Sequence, residues 1–168
     1  DLLGGRCRDK IRLHLLGGAS TPDAMVSAAR NAVEEGFTAL KFDPVHHIDT
    51  GIDRMVKTAV ELTAAAREGG GPDLDLIIEV HRKLTPMTAL TLAEALAPFN
   101  LYFFEDPIQI DSIQTQSEVA RRSNVPMGNG ERLTTIWEFR ELLEAGGPQY
   151  VRPDVGLAGG LTHCKKIA

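Results

Sequence analysis

Three glutamates recur at intervals of 26 residues, Glu79, Glu105 and Glu131, each near the C-terminal tip of a short apolar run: LDLIIEVH, LYFFEDP and VPMGNGE. That interval is about one strand-helix unit. An acid at each of three strand ends is how a parallel α/β sheet gathers carboxylates around a cation. Converging carboxylates repel one another strongly at low dielectric unless a cation compensates them. Mg2+ suits such a set, because it takes hard oxygen ligands and keeps positions open for water or substrate. No cysteine joins the acids, and His81 is the only histidine near them, so zinc is less well served. Any one of these glutamates by itself would fit a solvent-facing strand end or a helix cap.

Other strand ends add working side chains. His81 lies two residues after Glu79, so strand alternation would turn it to the same side, where an imidazole can serve as a general acid near neutral pH. Lys41 stands in an apolar context, ALKF. It could bind a substrate carboxylate, neutralise developing charge or act as a base with a depressed pKa. An ion pair with a neighbouring strand-end acid is its structural alternative, and Asp43, two residues on, is the simplest such partner. Asp154 closes VRPD but falls 23 residues after Glu131, out of step with the series. It reads as a partner that orients a base, or else as a cap for the following helix.

These residues need a scaffold. Strand-like runs IRLHLLGG, FTALKFDP, LDLIIEVH, LYFFEDP, VPMGNGE and QYVRPD alternate with six helical segments. TPDAMVSAARNAVEEG and TPMTALTLAEALAPF both enter through Thr-Pro, a helix start with proline at the first position. The strands read as continuous apolar runs, as in a parallel sheet buried on both faces. Lys41, Glu79, Glu105, Glu131 and Asp154 fall at five successive strand ends, and a barrel is the arrangement that makes all such ends converge. The expected fold is α/β: a partial (β/α)8 TIM-type barrel of six strand-helix units over residues 11–168, with residues 1–10 a lead-in from a capping domain that is itself absent.

The remaining features set bounds. The chain has 168 residues, 43% of them hydrophobic, enough for one globular domain. Its 18 Lys and Arg are scattered among 23 acids, for a net charge of -5, so a nucleic-acid partner is not expected. Cys7 and Cys164 form no metal spacing and read as free thiols of a cytoplasmic protein. No apolar stretch reaches the roughly 18 residues of a membrane span, so no membrane partner is expected. His14 falls in the first strand as a core residue, and His46 and His47 lie in a loop where they could line the mouth of the site or simply be solvated. The glycines form no nucleotide-binding fingerprint; Trp137 and Phe139 read as helix packing. The first residue is Asp1 rather than Met, and Ala168 falls within the first turns of a helix, which together suggest a piece of a longer polypeptide.

LLGGRCRDKIRLH, GFTALKFDP, IIEVHRKLTP, FFEDP, GNGERLTTIWEFRELLE and RPDVGLAGGLTHCKKIA resemble the mandelate racemase subgroup of the enolase superfamily. Within it they are most similar to acid-sugar dehydratases of the galactonate and mannonate type. The resemblance implies a magnesium site at Glu79, Glu105 and Glu131 that chelates a substrate carboxylate and stabilises an enediolate once the α-proton has gone. His81 would assist departure of the β-hydroxyl and Lys41 would take the family's second-strand lysine role. Asp43 stands where many members carry a second lysine, and Glu79 is longer than the family's usual Asp. The base would be a histidine on a seventh strand, oriented by Asp154 and lying beyond Ala168, so the 168 residues alone are expected to be inactive. The full-length protein is expected to be a homo-oligomer acting on a small-molecule sugar acid. A racemase or cycloisomerase of the same superfamily, or a non-catalytic barrel fragment, are the alternatives.

Overall fold

Four helices begin where the sequence offers a capping side chain or a proline. In the computed structural model, which describes residues 4–46 and 51–168, Pro22 opens α1 (Pro22–Glu34) after an extended Thr21. Thr85 and Thr88 cap one another at α3 (Pro86–Leu96), and Ser112 accepts from the Thr115 amide at α4 (Ile113–Arg122). Thr135 and Glu138 form a capping box on α5 (Ile136–Glu144). The side-chain caps of α3, α4 and α5 satisfy donors that a helix start leaves unpaired, and Pro22 brings no amide donor to the start of α1. The set among the described residues is completed by α2 (Ile52–Gly70) and α6 (Leu161–Ile167), with a 3-10 turn, Ala97–Phe99, after α3.

The strands are β1 (Leu15–Leu16), β2 (Ala39–Phe42), β3 (Asp75–Glu79), β4 (Phe103–Glu105), β5 (Met127–Asn129) and β6 (Tyr150–Val151). They form one parallel sheet in chain order, β1 to β6. Consecutive parallel neighbours joined by helices are the topology of a (β/α)8 barrel over six of its units. Period-two alternation then sorts the side chains. Leu40, Phe42, Leu76, Ile78, Phe104 and Met127 face the helices and pack with Met25, Ala29, Leu62, Leu92 and Leu96, each such side chain stabilising the fold by roughly 1.5–3 kcal/mol. Ala39, Ile77 and Phe103, with Tyr102 and Tyr150, form the opposite, inner layer. Gly128 makes room for it, because a Cβ there would stand 2.8 Å from Phe103 Cδ2.

The end strands depart from expectation. The first run pairs only through Leu15 and Leu16, and Ile11, Leu13 and Leu16 are 68%, 67% and 70% exposed. β1 and β6 each have one neighbour in the sheet, so burial on both faces holds for the central strands and fails at these two. Among the described residues no helix is long and apolar enough to cross a membrane.

Candidate metal centre

Parallel pairing sets Glu79 directly opposite Glu105 at the ends of β3 and β4. Glu131 arrives differently: it lies beyond β5, carried by a turn at Gly130, whose φ is +123° and whose Cβ would collide with Phe139 at 2.7 Å. One oxygen from each of Glu79, Glu105 and Glu131 lies within 4.8 Å of the others. Octahedral Mg2+ with bonds of about 2.1 Å spaces its ligand oxygens roughly 3–4 Å apart, so small side-chain rotations would close the set. Glu79 and Glu105 are buried and Glu131 is half-buried. Neither oxygen of fully buried Glu105 takes a well-aligned hydrogen bond; ion-pair contacts alone meet them. Hard carboxylate oxygens of this kind suit a divalent cation of the magnesium type.

The chain brings its own cations to these acids. Lys41 Nζ stands 2.7 Å from Glu79 Oε2 and 2.8 Å from Glu105 Oε2, with its side chain 7% exposed. The expected pairing of Lys41 with Asp43 is therefore corrected: the buried glutamates leave the lysine no better-solvated alternative, and Asp43 bonds elsewhere. Arg82 pairs with Glu131. Arg152 Nε lies 3.3 Å from Glu105 Oε1, its guanidinium above the Phe103 ring. Sequence reasoning missed both arginines, although Arg152, a cation closing the sixth apolar run, carries the same signal that singled out Lys41.

His81 reaches the site by a route other than strand alternation. β3 ends at Glu79, and His81 and Arg82 both adopt left-handed backbone, with φ of 51° and 61°. The turn is held by Arg82 N donating to Asp106 O at 2.8 Å and Leu84 N to Pro107 O at 3.1 Å. His81 Nδ1 meets Asp43 Oδ2 at 2.9 Å, and Nε2 lies 3.6 Å from Glu79 Oε1. Asp43 Oδ2 also accepts from Lys83 Nζ at 2.7 Å, and its Oδ1 from Val45 N at 2.9 Å. With Nδ1–H given to Asp43, the Nε2 edge is the one turned to the acids. Of the four non-glycine residues with positive φ among the described residues, three stand here, His81, Arg82 and Asp106. Such strain concentrates at functional sites.

Asp106, also missed, is wholly buried; its Oδ1 accepts from Asn129 Nδ2 at 3.1 Å and Gly130 N at 3.4 Å. Burial, against those bonds, pushes its carboxyl up to about 6. It ties the β4 end to the turn that carries Glu131. Asp154 is exposed, and its Oδ1 accepts from Leu157 N at 2.8 Å, as a turn cap would. It shares a cavity of about 350 Å3 with Glu131 and Arg152.

The remaining histidines and aromatics sort themselves by burial. His14 is half-buried rather than core, and lines an inner cavity of about 240 Å3 with Ile77, Phe103, Tyr150 and Arg152. Desolvation and then the Arg152 and Lys41 charges hold its pKa below the usual value. His46 is exposed beside Pro44 and Arg54, and His47 lies outside the described residues. Phe139 packs in the core whereas Trp137 is 66% exposed, which corrects its expected packing role. Cys7 and Cys164 are unbonded.

The family profile described as Enolase C-terminal domain-like matches residues 24–168. A D-galactonate dehydratase from Cronobacter sakazakii is 31% identical over 99% of this chain and 44% of its own length. A mandelate racemase/muconate lactonizing enzyme from Jannaschia sp. superposes with a TM-score of 0.91 at 31% identity, over 99% of this chain and 47% of that one. An enolase from Agrobacterium radiobacter, solved with bound Na and L-malate, gives 0.88 at 27% identity, over 99% and 43%. The chain thus spans about half the length of the relatives it matches.

Proposed function

The chain belongs to the Enolase C-terminal domain-like family, and on that premise we propose that the full-length protein is a magnesium-dependent dehydratase of a sugar acid. It would remove the proton α to a carboxylate and expel the β-hydroxyl. The observation that carries this reading is the convergence of three glutamate oxygens within 4.8 Å beside an imidazole whose Nε2 edge faces them. Glu79, Glu105 and Glu131 would hold Mg2+, which supplies positive charge to the substrate carboxylate as its α-carbon becomes acidic.

The side chains around it divide the remaining work. Lys41, buried at the same acids, would bind the carboxylate as a compact point charge. His81 would deliver the proton from Nε2 to the departing β-hydroxyl, with Asp43 fixing the ring through Nδ1. Asp154, at the sixth strand end, would orient a base contributed by chain following Ala168. A two-lysine racemase is disfavoured, because the position two after Lys41 is Asp43, engaged with His81 and Lys83. Dehydration also fits the dehydratase relative, and the hydroxy acid L-malate in the Agrobacterium structure fits a carboxylate ligand.

Incubating the full-length protein and Mg2+ with a panel of sugar acids tests the reading. A 2-keto-3-deoxy acid, detected as its semicarbazone, is the expected product. Stereoinversion or lactone formation would replace dehydration with the racemase or cycloisomerase reading, and no turnover of any acid would favour a non-catalytic protein.

A further inference from the structure

We propose that Lys41 is a built-in competitor for the divalent cation, neutralising Glu79 and Glu105 in the metal-free protein and being expelled from their oxygens when the metal binds. The inference rests on the reading of the triad as a metal centre, and adds an exchange of cations to it.

The geometry sets up the competition. Lys41 Nζ contacts Oε2 of both Glu79 and Glu105, at 2.7 and 2.8 Å. A magnesium-type ion needs an oxygen from each at about 2.1 Å. Two cations held on the same two buried carboxylates would repel strongly at low dielectric. Lys41 has only 7% of its side chain exposed, so water does little to screen it.

Charge counting points the same way. The three glutamates are met at close range by three cations of the chain, Lys41, Arg82 and Arg152. Arg132, 3.7 Å from Glu131, adds further positive charge at the exposed rim. The triad is therefore fully neutralised by the chain's own cations, with positive charge to spare at the rim, and a divalent ion adds two more positive charges. Lys41 can relieve that surplus by swinging off the glutamates, since its four-carbon stem carries the charge on rotatable bonds. Its ammonium then becomes available to an anionic ligand, so anion binding should follow metal binding, an ordinary positive coupling between two sites.

Two measurements test the exchange. Reductive methylation of the wild-type protein, read residue by residue by mass spectrometry, should show Lys41 protected without metal and several-fold more reactive in saturating Mg2+. Lys57, 76% exposed, serves as the unchanging reference. In titration calorimetry, Lys41→Met should bind Mg2+ roughly tenfold or more tighter than wild type, the size of ordinary coupling between sites. Mg2+ binding by the variant alone would likewise support the proposal. If wild type binds Mg2+ while Lys41 reactivity stays the same or falls, the exchange is overturned and the metal reading stands. If neither protein binds Mg2+, both are overturned. Should the variant fail to fold, the footprint of the wild-type protein decides.

Discussion

His81 and Asp43, 38 residues apart, meet through Nδ1 and Oδ2 at 2.9 Å. The contact joins the turn after β3 to the end of β2 and selects which imidazole nitrogen faces the acids. It follows that His81→Asn in the full-length protein lowers kcat for dehydration by roughly 10²–10⁴-fold, the usual worth of a general acid. Asp43→Asn should cost about 10–100-fold, as for carboxylates that orient a working imidazole, with KM little changed. Steady-state kinetics with both variants checks this. Full activity in Asp43→Asn beside an inactive His81→Asn would remove the orienting role.

Gly128→Ala should destabilise the inner layer beneath the acids. The new Cβ would lie 2.8 Å from Phe103 Cδ2 in a packed layer with Tyr102 and Tyr150, an overpacking that costs about 1–3 kcal/mol. Urea denaturation followed by circular dichroism should show the midpoint shift. An unchanged midpoint would mean that the ring moves aside freely.

How far the sequence reached depended on the kind of signal. The helix starts at Thr21 and Thr85 were readable, because caps and prolines act on their nearest neighbours. The strand-end acids were readable because spacing survives folding: the units repeat, so Glu79, Glu105 and Glu131 return to one side. The partners of Lys41 and Asp43 were not, since alternation along one strand cannot show which neighbouring strand offers the closer carboxylate. Nor could alternation anticipate that β3 stops at Glu79 and that His81 and Arg82 turn left-handed. That turn is held by bonds to Asp106 and Pro107, residues a whole strand-helix unit away.

The cap of α5 should carry a pH signature. Oε2 of Glu138 accepts from the amides and hydroxyls of Thr134 and Thr135 at 2.8–3.0 Å. Desolvation pushes its carboxyl up, but this donation outweighs it and holds the pKa below 4.5. A carboxylate with a depressed native pKa stabilises the fold above its unfolded value and loses that contribution as pH falls through the native one. Glu138→Gln should therefore be less stable than wild type at neutral pH by about 1 kcal/mol. The gap should close as pH drops below 4.5, the unshifted value. Thermal melts of both proteins from about pH 3 to about pH 7 would show it. A gap that stays constant would contradict the cap's charge dependence.

The central claim, that Glu79, Glu105 and Glu131 hold one divalent cation, is tested most directly by electron paramagnetic resonance with Mn2+ standing in for Mg2+. Wild-type protein should bind one Mn2+ per chain, competed by Mg2+ and removed by a chelator. Glu79→Gln, Glu105→Gln and Glu131→Gln should each lose that binding while keeping a cooperative thermal transition. Undiminished Mn2+ binding in Glu105→Gln, the fully buried member of the set, would contradict the account.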